Sequence, residues 1–506
     1  MKRFGKIFTL VLCLALALSL AAYADEQTEP SGQNEAISSY INLPGFPPYA
    51  PAGIDLGVLR GSWFEIGVQH AQGTGELIQL YFDWRFDDTL NKLKVDVQHV
   101  VDDVRRYDVE VQKFSPQAVE FMKGIAQGAA PYLTKSKYAG ALTDYEKILF
   151  MACEFCITYG HPGPEEHFPL PGATGKSESF KIATINEEQE TSCSAMVALG
   201  TTTKDKNTIF SHINNETFIR CHRMNYIAIP DEPGAHPYWS TAEPGKIVSL
   251  GAVNSKGVGA VILAGPSRTL VPEEGIFERS FGVPWPIVQF MISAYANNLQ
   301  EAIDIVTLGT PEYRLKTGRS TLLRARQNNW VLSDTEQACV VEATAHKYAV
   351  RYPGDNGEDG YIVSTNHFLA NFSYDENNQH TSFPMTKFGD EIAQSGSALR
   401  YYTLWWLNKL NKGSIDVDMV KEFNLAHFYI TKQGDRVDMV WNEENGWLPA
   451  YLGSRTVCTH QGYPEKYTGN TVDTKVADLN ARTIDWALGR PCEWVGPWKV
   501  YNVPED

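Results

Sequence analysis

One cysteine in this sequence lies at a position that suits a catalytic nucleophile. The stretch TSCSAMV at 191–197 is typical of a loop that delivers Cys193 to the start of a buried strand. A thiol attacks a carbonyl as the thiolate, and an ordinary cysteine is mostly protonated at neutral pH, so it needs a base. Cleavage of the Ser192–Cys193 bond would create one, because a free α-amine has a pKa of about 7.7–8.0. We therefore predict that Cys193 becomes a new N-terminus by internal cleavage and then attacks amide or ester carbonyls.

Polar residues downstream supply the other groups that acyl transfer needs. Asn214 lies at the end of the next apolar run and is followed by Glu216, Asn254 begins a turn, and Asn329 enters a strand. An asparagine side chain offers two uncharged N–H donors to a developing oxyanion. Each residue also has an ordinary interpretation, because asparagine favours turns and a cysteine is often an inert buried thiol.

The spacing of apolar residues predicts the elements that hold these side chains. Phe64 opens a helix, and spacings of three and four from Gly75 to about Tyr159 predict several more, with Asp144 as the N-cap of the last. Short apolar runs predict strands after Cys193, with helices between them. The strands are 195–199, 208–213, 247–253, 259–263, 330–332, 338–343, 347–352 and 361–364, and the helices are 287–296, 299–306, 397–410 and 419–427. This order predicts a layered α+β fold.

Composition and charge limit the partners of the chain. It has 506 residues, 43% of them hydrophobic, and a formal net charge of −16. That charge repels phosphate backbones, so we expect no nucleic-acid partner. No stretch beyond the N-terminal apolar run reaches the ~18 apolar residues that a membrane span requires, so we expect no stable membrane insertion.

The first 24 residues have the features of a secretory signal peptide. Lys2, Arg3 and Lys6 precede an apolar run, and AYA at 22–24 fits a small-residue cleavage site. We therefore expect export to the periplasm or the exterior. Cys13 lies in the signal, so the eight cysteines of the sequence leave seven, an odd number whose pairing the spacing does not fix. The predicted segments are 1–24, a mostly helical 25–192, and 193–506, which carries the nucleophile.

A series of motifs follows one order along the chain. They are LRGSWFEIGVQHAQ at 59–72, KGIAQGA at 123–129, SCSAM at 192–196, SHINNE at 211–216, NSKGVG at 254–259, NNWVLSD at 328–334, VEAT at 341–344, STNHFL at 364–369, and Arg400 in the next helix. Each motif alone is weak, but the ordered set resembles the autoproteolytic cysteine N-terminal-nucleophile (Ntn) hydrolases typified by isopenicillin-N acyltransferase. The resemblance covers roughly residues 58–411.

The resemblance implies a fold and a role for each matched residue. The fold would be the four-layer αββα sandwich, with a helical N-terminal portion and a chain cut before Cys193. Asn329 would belong to the oxyanion hole, Asn214 and Glu216 would orient the new N-terminus, and Asn254 would lie in a turn that faces the pocket.

Two departures and one open assignment accompany the resemblance. Ser192 stands where the fungal acyltransferase has glycine, and Glu216 stands where it has aspartate, so the geometry of processing can differ. His367 falls in a matched motif, but the resemblance assigns it no role. A functional histidine and a structural histidine are equally good interpretations.

These observations predict an exported, self-processing hydrolase or acyltransferase acting at C–N amide bonds. The expected substrate is a small-molecule amide or ester. We expect no metal or organic cofactor, because thiol, amine and N–H donors suffice for this chemistry. Two alternatives stay open: a phospholipase B-like or dipeptidase-like Ntn hydrolase, and an exported binding protein with an inert, uncut Cys193. The fold does not choose a substrate, and the sequence does not specify the oligomeric state.

Overall fold

The architecture was obtained as a computed structural model. It describes residues 52–160, 193–216, 222–248, 251–264, 280–346, 348–369, 396–438, 440–442, 446–448, 456–459, 470–489, 492 and 498–506. The chain divides into two units, Met1–Phe46 and Pro47–Asp506, and all described residues belong to the second. The predicted signal peptide, the residue Ser192 and the loop before it lie outside the described residues.

Helices dominate the described part of the chain before Cys193 and recur after it. They are α1 (Trp63–Ala71), α2 (Gly75–Leu93), α3 (Val97–Phe114), α4 (Pro116–Leu133), α5 (Asp144–Gly160), α6 (Trp285–Tyr295), α7 (Leu299–Thr307), α8 (Pro311–Thr317), α9 (Gly396–Leu410) and α10 (Val417–Asn424). The N-cap of α5 is Thr143 rather than the predicted Asp144. The backbone N–H of Glu146 donates to Thr143 Oγ1 at 3.2 Å, and the Thr143 N–H donates to the Glu146 carboxylate at 2.8 Å. Threonine followed three residues later by glutamate forms a capping box.

Helices α1 and α4 pack unusually close together. A Cβ atom added to Gly67 of α1 would meet the backbone at Phe121 and Gly124, and one added to Gly124 of α4 would meet the backbone at Phe64 and Gly67. Gly128 likewise lies against Val68. The small residues of α4 therefore let the two backbones touch.

The strands form two large sheets within the described residues. They are β1 (Ala52–Gly61), β2 (Ser194–Ala198), β3 (Ile209–Glu216), β4 (His222–Pro230), β5 (Tyr238–Ala242), β6 (Ala252–Asn254), β7 (Gly259–Ala264), β8 (Asn328–Ser333), β9 (Ala338–Ala343), β10 (Tyr348–Arg351), β11 (Tyr361–Ser364), β12 (Phe428–Ile430), β13 (Arg436–Asp438), β14 (Val440–Asn442), β15 (Gly446–Leu448), β16 (Asn470–Asp478), β17 (Thr483–Leu488) and β18 (Lys499–Asn502). The eight-stranded sheet has the order β1-β4-β5-β6-β7-β8-β9-β10. The six-stranded sheet has the order β11-β2-β3-β16-β17-β18, and two short hairpins complete the set.

The two large sheets share one hydrophobic cluster. Val253 and Val331 of the eight-stranded sheet meet Ala195 and Phe210 of the six-stranded sheet there, and Cys193 belongs to the same cluster. Because successive strand residues point to opposite faces, the residues between these in β2 and β3 face the other way. Met196 and Ile213, for example, pack against residues of α9 and α10. Helices α6 and α7 contact strands β6 to β9 of the eight-stranded sheet.

The prediction of a mixed fold with helices first and strands after Cys193 is confirmed. All four predicted helices after Cys193 are present, and so are strands at β2, β3 and β7 to β11. Strands β4, β5 and β12 to β18 were not predicted. Among the helices that the structure describes, none combines the length and the apolar character needed to cross a bilayer.

Candidate active site

Cys193 lies between the two sheets, immediately before strand β2. Cys193 is 1% exposed to solvent, and its Sγ donates to Oδ1 of Asn214 at 3.4 Å. The antiparallel register explains this contact, because Ser194 pairs with Ile213 and the next position along places Cys193 beside Asn214. The two residues that the sequence singled out as nucleophile and orienting amide are therefore neighbours on adjacent strands.

The thiol of Cys193 is protonated at neutral pH. Burial raises its pKa to about 12, and Glu216 raises it as well. A backbone hydrogen bond from Asn215 and the positive charges of Arg400 and Lys475 act in the opposite direction. Burial prevails, so the thiol is unreactive until a base comes within reach of it.

The inward face of β3 continues the polar surface that begins at Asn214. His212, Asn214 and Glu216 share the face of Phe210, which packs in the cluster between the sheets. All three polar residues are buried, and Nδ2 of Asn214 has no hydrogen-bond partner among the described residues. A buried amide without a partner is uncommon and marks a place where a further group can bind.

Opposite charges converge beside this face. Arg223 of β4 reaches across from the eight-stranded sheet, with its guanidinium 3.5 Å from Glu216 and 3.8 Å from Asp473 of β16. Asp473 also forms an ion pair with Lys475 at 2.8 Å. Burial alone would raise the pKa of Asp473, but Lys475 and Arg223 overcome it and lower the pKa to about 2. Asp473 is therefore ionised at neutral pH.

Lys475 links this charge cluster to a neutral imidazole. Its Nζ lies 3.2 Å from Nδ1 of His212. Burial lowers the pKa of His212 well below its ordinary value, and Lys475 lowers it too. A neutral His212 accepts at Nδ1 and carries its proton on Nε2, a buried atom without a hydrogen-bond partner in the described part of the chain.

The charges extend from the sheets into the helical layer. Glu243, which follows β5, lies 3.6 Å from Arg223 and 2.7 Å from Arg85 of α2. Lys246 lies 2.9 Å from Glu243 and 3.1 Å from Glu154 of α5. All of these side chains are almost completely buried. A chain of alternating charges thus connects α2 and α5 with the polar face of β3.

Arg400 fixes the position of Ser194, the residue that follows Cys193. This buried residue of α9 donates from Nε to Ser194 Oγ at 3.1 Å and from Nη2 to Asn366 Oδ1 at 2.8 Å. Asn366 in turn donates to the carbonyl of Ala264 at the end of β7. The arginine therefore joins the strand that follows Cys193 to the turn after β11.

Asn329 holds the same turn from the opposite sheet. It shares a face of β8 with Val331, which packs in the cluster that contains Cys193. Its Nδ2 donates to the carbonyls of Thr365 and His367 at 2.7 and 3.0 Å, so both of its N–H groups are engaged. The sequence did not predict this turn-holding contact, and the oxyanion role of Asn329 stays a prediction.

His367 is a neutral member of this turn. Its Nδ1 lies 2.7 Å from Ser397 Oγ and 3.1 Å from Thr365 Oγ1. Burial lowers the pKa of His367 to about 3, with Arg400 and Arg351 acting in the same direction. These contacts favour the structural interpretation that the sequence left open.

Asn254 is turned away from the thiol of Cys193, and its place in a turn that faces the pocket stays a prediction. Its neighbour Val253 packs in the cluster with Cys193, and strand alternation turns Asn254 toward the helices. There its Nδ2 donates to the carbonyl of Ala296 at 2.8 Å, and its Oδ1 accepts from the N–H groups of Lys256 and Val258. Asn254 is a turn residue that ties β6 to the end of α6.

Sequence reasoning missed Arg223, Asp473 and Lys475. A faint signal exists in TVDTKVAD at 471–478, where Asp473 and Lys475 alternate with Val472 and Val476. Alternation predicts a strand with one polar face, which is normally the solvent face. Here the polar face is buried between the sheets, and only the pairing of β16 with β3 reveals it.

We expect Asn329→Ala to lower kcat by ~10²–10³-fold with little effect on KM, as loss of one oxyanion donor does in other enzymes. Steady-state kinetics and the free energy of unfolding are measured together. If Asn329 only holds the 365–367 turn, the variant loses stability while kcat per folded molecule is unchanged, and the oxyanion assignment fails.

Comparison with known proteins gives distant structural likenesses. No protein-family model and no curated protein matches the chain. One similar structure is a mutant of conjugated bile acid hydrolase from Clostridium perfringens, with 14% identity and a TM-score of 0.34 over 61% of this chain and 92% of that one. Penicillin V acylase from Agrobacterium tumefaciens has 11% identity and a TM-score of 0.32 over 61% and 84%. The N-acylethanolamine-hydrolyzing acid amidase ortholog of Caenorhabditis elegans has 9% identity and a TM-score of 0.35 over 62% and 100%. The function of this chain is therefore inferred from its own residues and contacts.

Proposed function

We propose that this protein is a self-processing cysteine amidohydrolase or acyltransferase of the Ntn class, cut between Ser192 and Cys193. The observation that carries the proposal is the place of Cys193, a buried thiol at the start of a central strand with the Asn214 carboxamide 3.4 Å away. Cleavage at this place would put an α-amine next to the thiol. Such an amine is a base of suitable pKa in the otherwise unreactive site.

The proposed reaction follows from that pair of groups. The α-amine takes the thiol proton, and the thiolate sulfur attacks the carbonyl carbon of the substrate. The carbonyl oxygen becomes an oxyanion, for which Asn329 is the predicted donor. When the C–N bond breaks, the leaving amine takes the proton from the α-ammonium and a thioester remains. Attack by water, or by another acceptor, then releases the acyl group and restores the thiol.

In this proposal the residues around Cys193 support the reaction through hydrogen bonds and through their charges. Asn214 accepts from the thiol in the uncut chain and, after cleavage, orients the new amine together with Glu216. Arg400 positions the strand through Ser194 and lowers the pKa of the Cys193 thiol, against the effect of burial. The positive charges of Arg400 and Lys475 also favour an anionic intermediate beside the sulfur.

We assign the fold to the αββα sandwich as part of the same proposal. The shared cluster between the two sheets supports it, as do helices α9 and α10 on one outer face and α6 and α7 against the other sheet. We also propose export through the 1–24 signal and a small-molecule amide or ester as the substrate. A phospholipase B-like or dipeptidase-like activity uses the same chemistry, and a panel of N-acyl amino acids, peptides, β-lactams and lipid amides distinguishes these substrates.

The raised pKa of Cys193 favours a second candidate if the chain is never cut. A fully buried thiol with a pKa of about 12 is inert, as a binding protein would require. The two candidates differ in one measurable property, which is the state of the bond before Cys193.

Intact-mass analysis of the exported protein tests the choice. We expect two chains of 168 residues (25–192) and 314 residues (193–506), because only the cut form has a base for the thiol. Heating and reducing the sample before measurement separates chains that are held together by packing. A single full-length chain that hydrolyses amides would disprove the proposed processing, and an inactive one would favour the binding protein.

A further inference from the structure

A second group of chemically active side chains lies away from Cys193. His427 follows helix α10, Cys458 lies in the described segment 456–459, and Cys492 lies beyond strand β17. One potential ligand atom from each of the three residues lies within 4.8 Å of the other two. Three residues so distant in sequence therefore converge on one point.

The spacing of these atoms is that of ligands around a single metal ion. The two Sγ atoms are 3.6 Å apart. Two thiolates bound tetrahedrally to zinc at about 2.3 Å each are separated by about 3.8 Å, from the tetrahedral angle alone. Two cysteines and one histidine form a donor set that suits zinc and leaves a fourth position for water or another ligand. We propose that His427, Cys458 and Cys492 bind one zinc ion.

The surrounding backbone fixes the inner side of this cluster. The N–H of Cys458 donates to the carbonyl of Ala426 at 3.2 Å, which sets Cys458 beside His427. Thr459 exchanges two hydrogen bonds with Thr471 of β16, at 2.9 and 3.1 Å. Two of the three ligands are therefore held against the six-stranded sheet before any metal arrives, which lowers the entropic cost of binding.

The outer side of the cluster is open to solvent. Cys458 is buried, His427 is partly exposed and Cys492 is exposed. An ion can therefore reach the cluster from solvent, and binding would join Cys492 to the 456–459 segment. That segment also accepts a hydrogen bond at Thr459 Oγ1 from Asn215, the residue next to Asn214. A bound metal would thus stabilise strand β3 through Asn215, without contacting Cys193.

The proposed metal site is independent of the chemistry assigned to Cys193, so metal content rather than activity is the readout. Full-length protein is produced with added zinc sulfate, purified without chelators and analysed by elemental and intact-mass spectrometry. We expect about one zinc per chain, as for a three-residue protein site. Cys492→Ser and His427→Gln change exposed or partly exposed side chains and should fold, but their zinc content should fall at least about tenfold. Cys339→Ser, at a buried cysteine of β9 outside the cluster, should retain the metal.

Two results would overturn the proposed zinc site. One is a zinc-free protein whose mass is lower by two hydrogen atoms and whose Cys458 and Cys492 peptides are linked, because that is a disulfide instead. The other is zinc that stays bound at equal stoichiometry in both Cys492→Ser and His427→Gln, because the ion then has other ligands.

Discussion

Cys193→Ala is expected to yield one uncut, folded chain whose turnover falls on the order of 10⁶-fold, the scale seen when a catalytic nucleophile is removed. The substitution deletes a single sulfur from a buried position, so the fold should survive with a modest loss of stability. Cys193→Ser keeps an attacking oxygen, but a hydroxyl is far less acidic than a thiol, so cleavage and turnover should both drop steeply. Intact mass and amide hydrolysis are measured on the same samples.

Cys339→Ala is the matched control for this experiment. Cys339 is also buried in a strand, and burial raises the pKa of its thiol too, but it lies in β9 and none of the proposed steps uses it. The control should be cut and active. Labelling with iodoacetamide adds a direct test, because Cys193 should react rapidly only in the cut form and substrate should protect it. Loss of activity through a different labelled cysteine would show that the nucleophile is misassigned.

Arg223→Met is expected to lower the free energy of unfolding by about 3–5 kcal/mol, the cost of removing one partner from a buried ion cluster. Glu216, Glu243 and Asp473 lie within 3.5 to 3.8 Å of its guanidinium, and all three carboxylates are buried. Methionine has a similar volume and no charge, so the variant removes the charge that compensates the three carboxylates and changes the packed volume little. Urea unfolding, followed by circular dichroism, measures the change.

Acid unfolding gives a second readout of the same variant. The folded-state pKa of Asp473 is depressed to about 2, so its contribution is fully present above the ordinary value of 3.8 and is lost as the pH falls toward 2. Removing Arg223 raises that folded pKa, so stability should be lost at a higher pH. Arg105→Met is the control, because Arg105 pairs with Glu146 at the surface and is 53% exposed. Equal effects in the two variants would contradict the role assigned to the buried cluster.

The sequence by itself determined the parts of the site that depend on local pattern. The change from a polar loop to a buried apolar run placed Cys193 at the start of a strand, and β2 begins at Ser194. The apolar run that ends at Asn214 predicted β3, whose antiparallel pairing with β2 brings the two residues together. Local patterns carry such features because strand and helix periodicity depend on neighbours along the chain.

Only the tertiary structure decided which polar residues share a face and which charges meet. Asn254 and Asn329 look alike in the sequence, but strand alternation turns one toward α6 and the other toward the cluster between the sheets. Both faces of these strands are buried, so a hydrophobic pattern does not tell one face from the other. Arg223 lies on β4, whereas Asp473 and Lys475 lie on β16, which is far from β4 in the sequence. Their charges meet only because β16 pairs with β3 and Arg223 reaches these strands from the other sheet. Packing and charge compensation in the folded core select which distant strands pair, and the local sequence does not specify these partners.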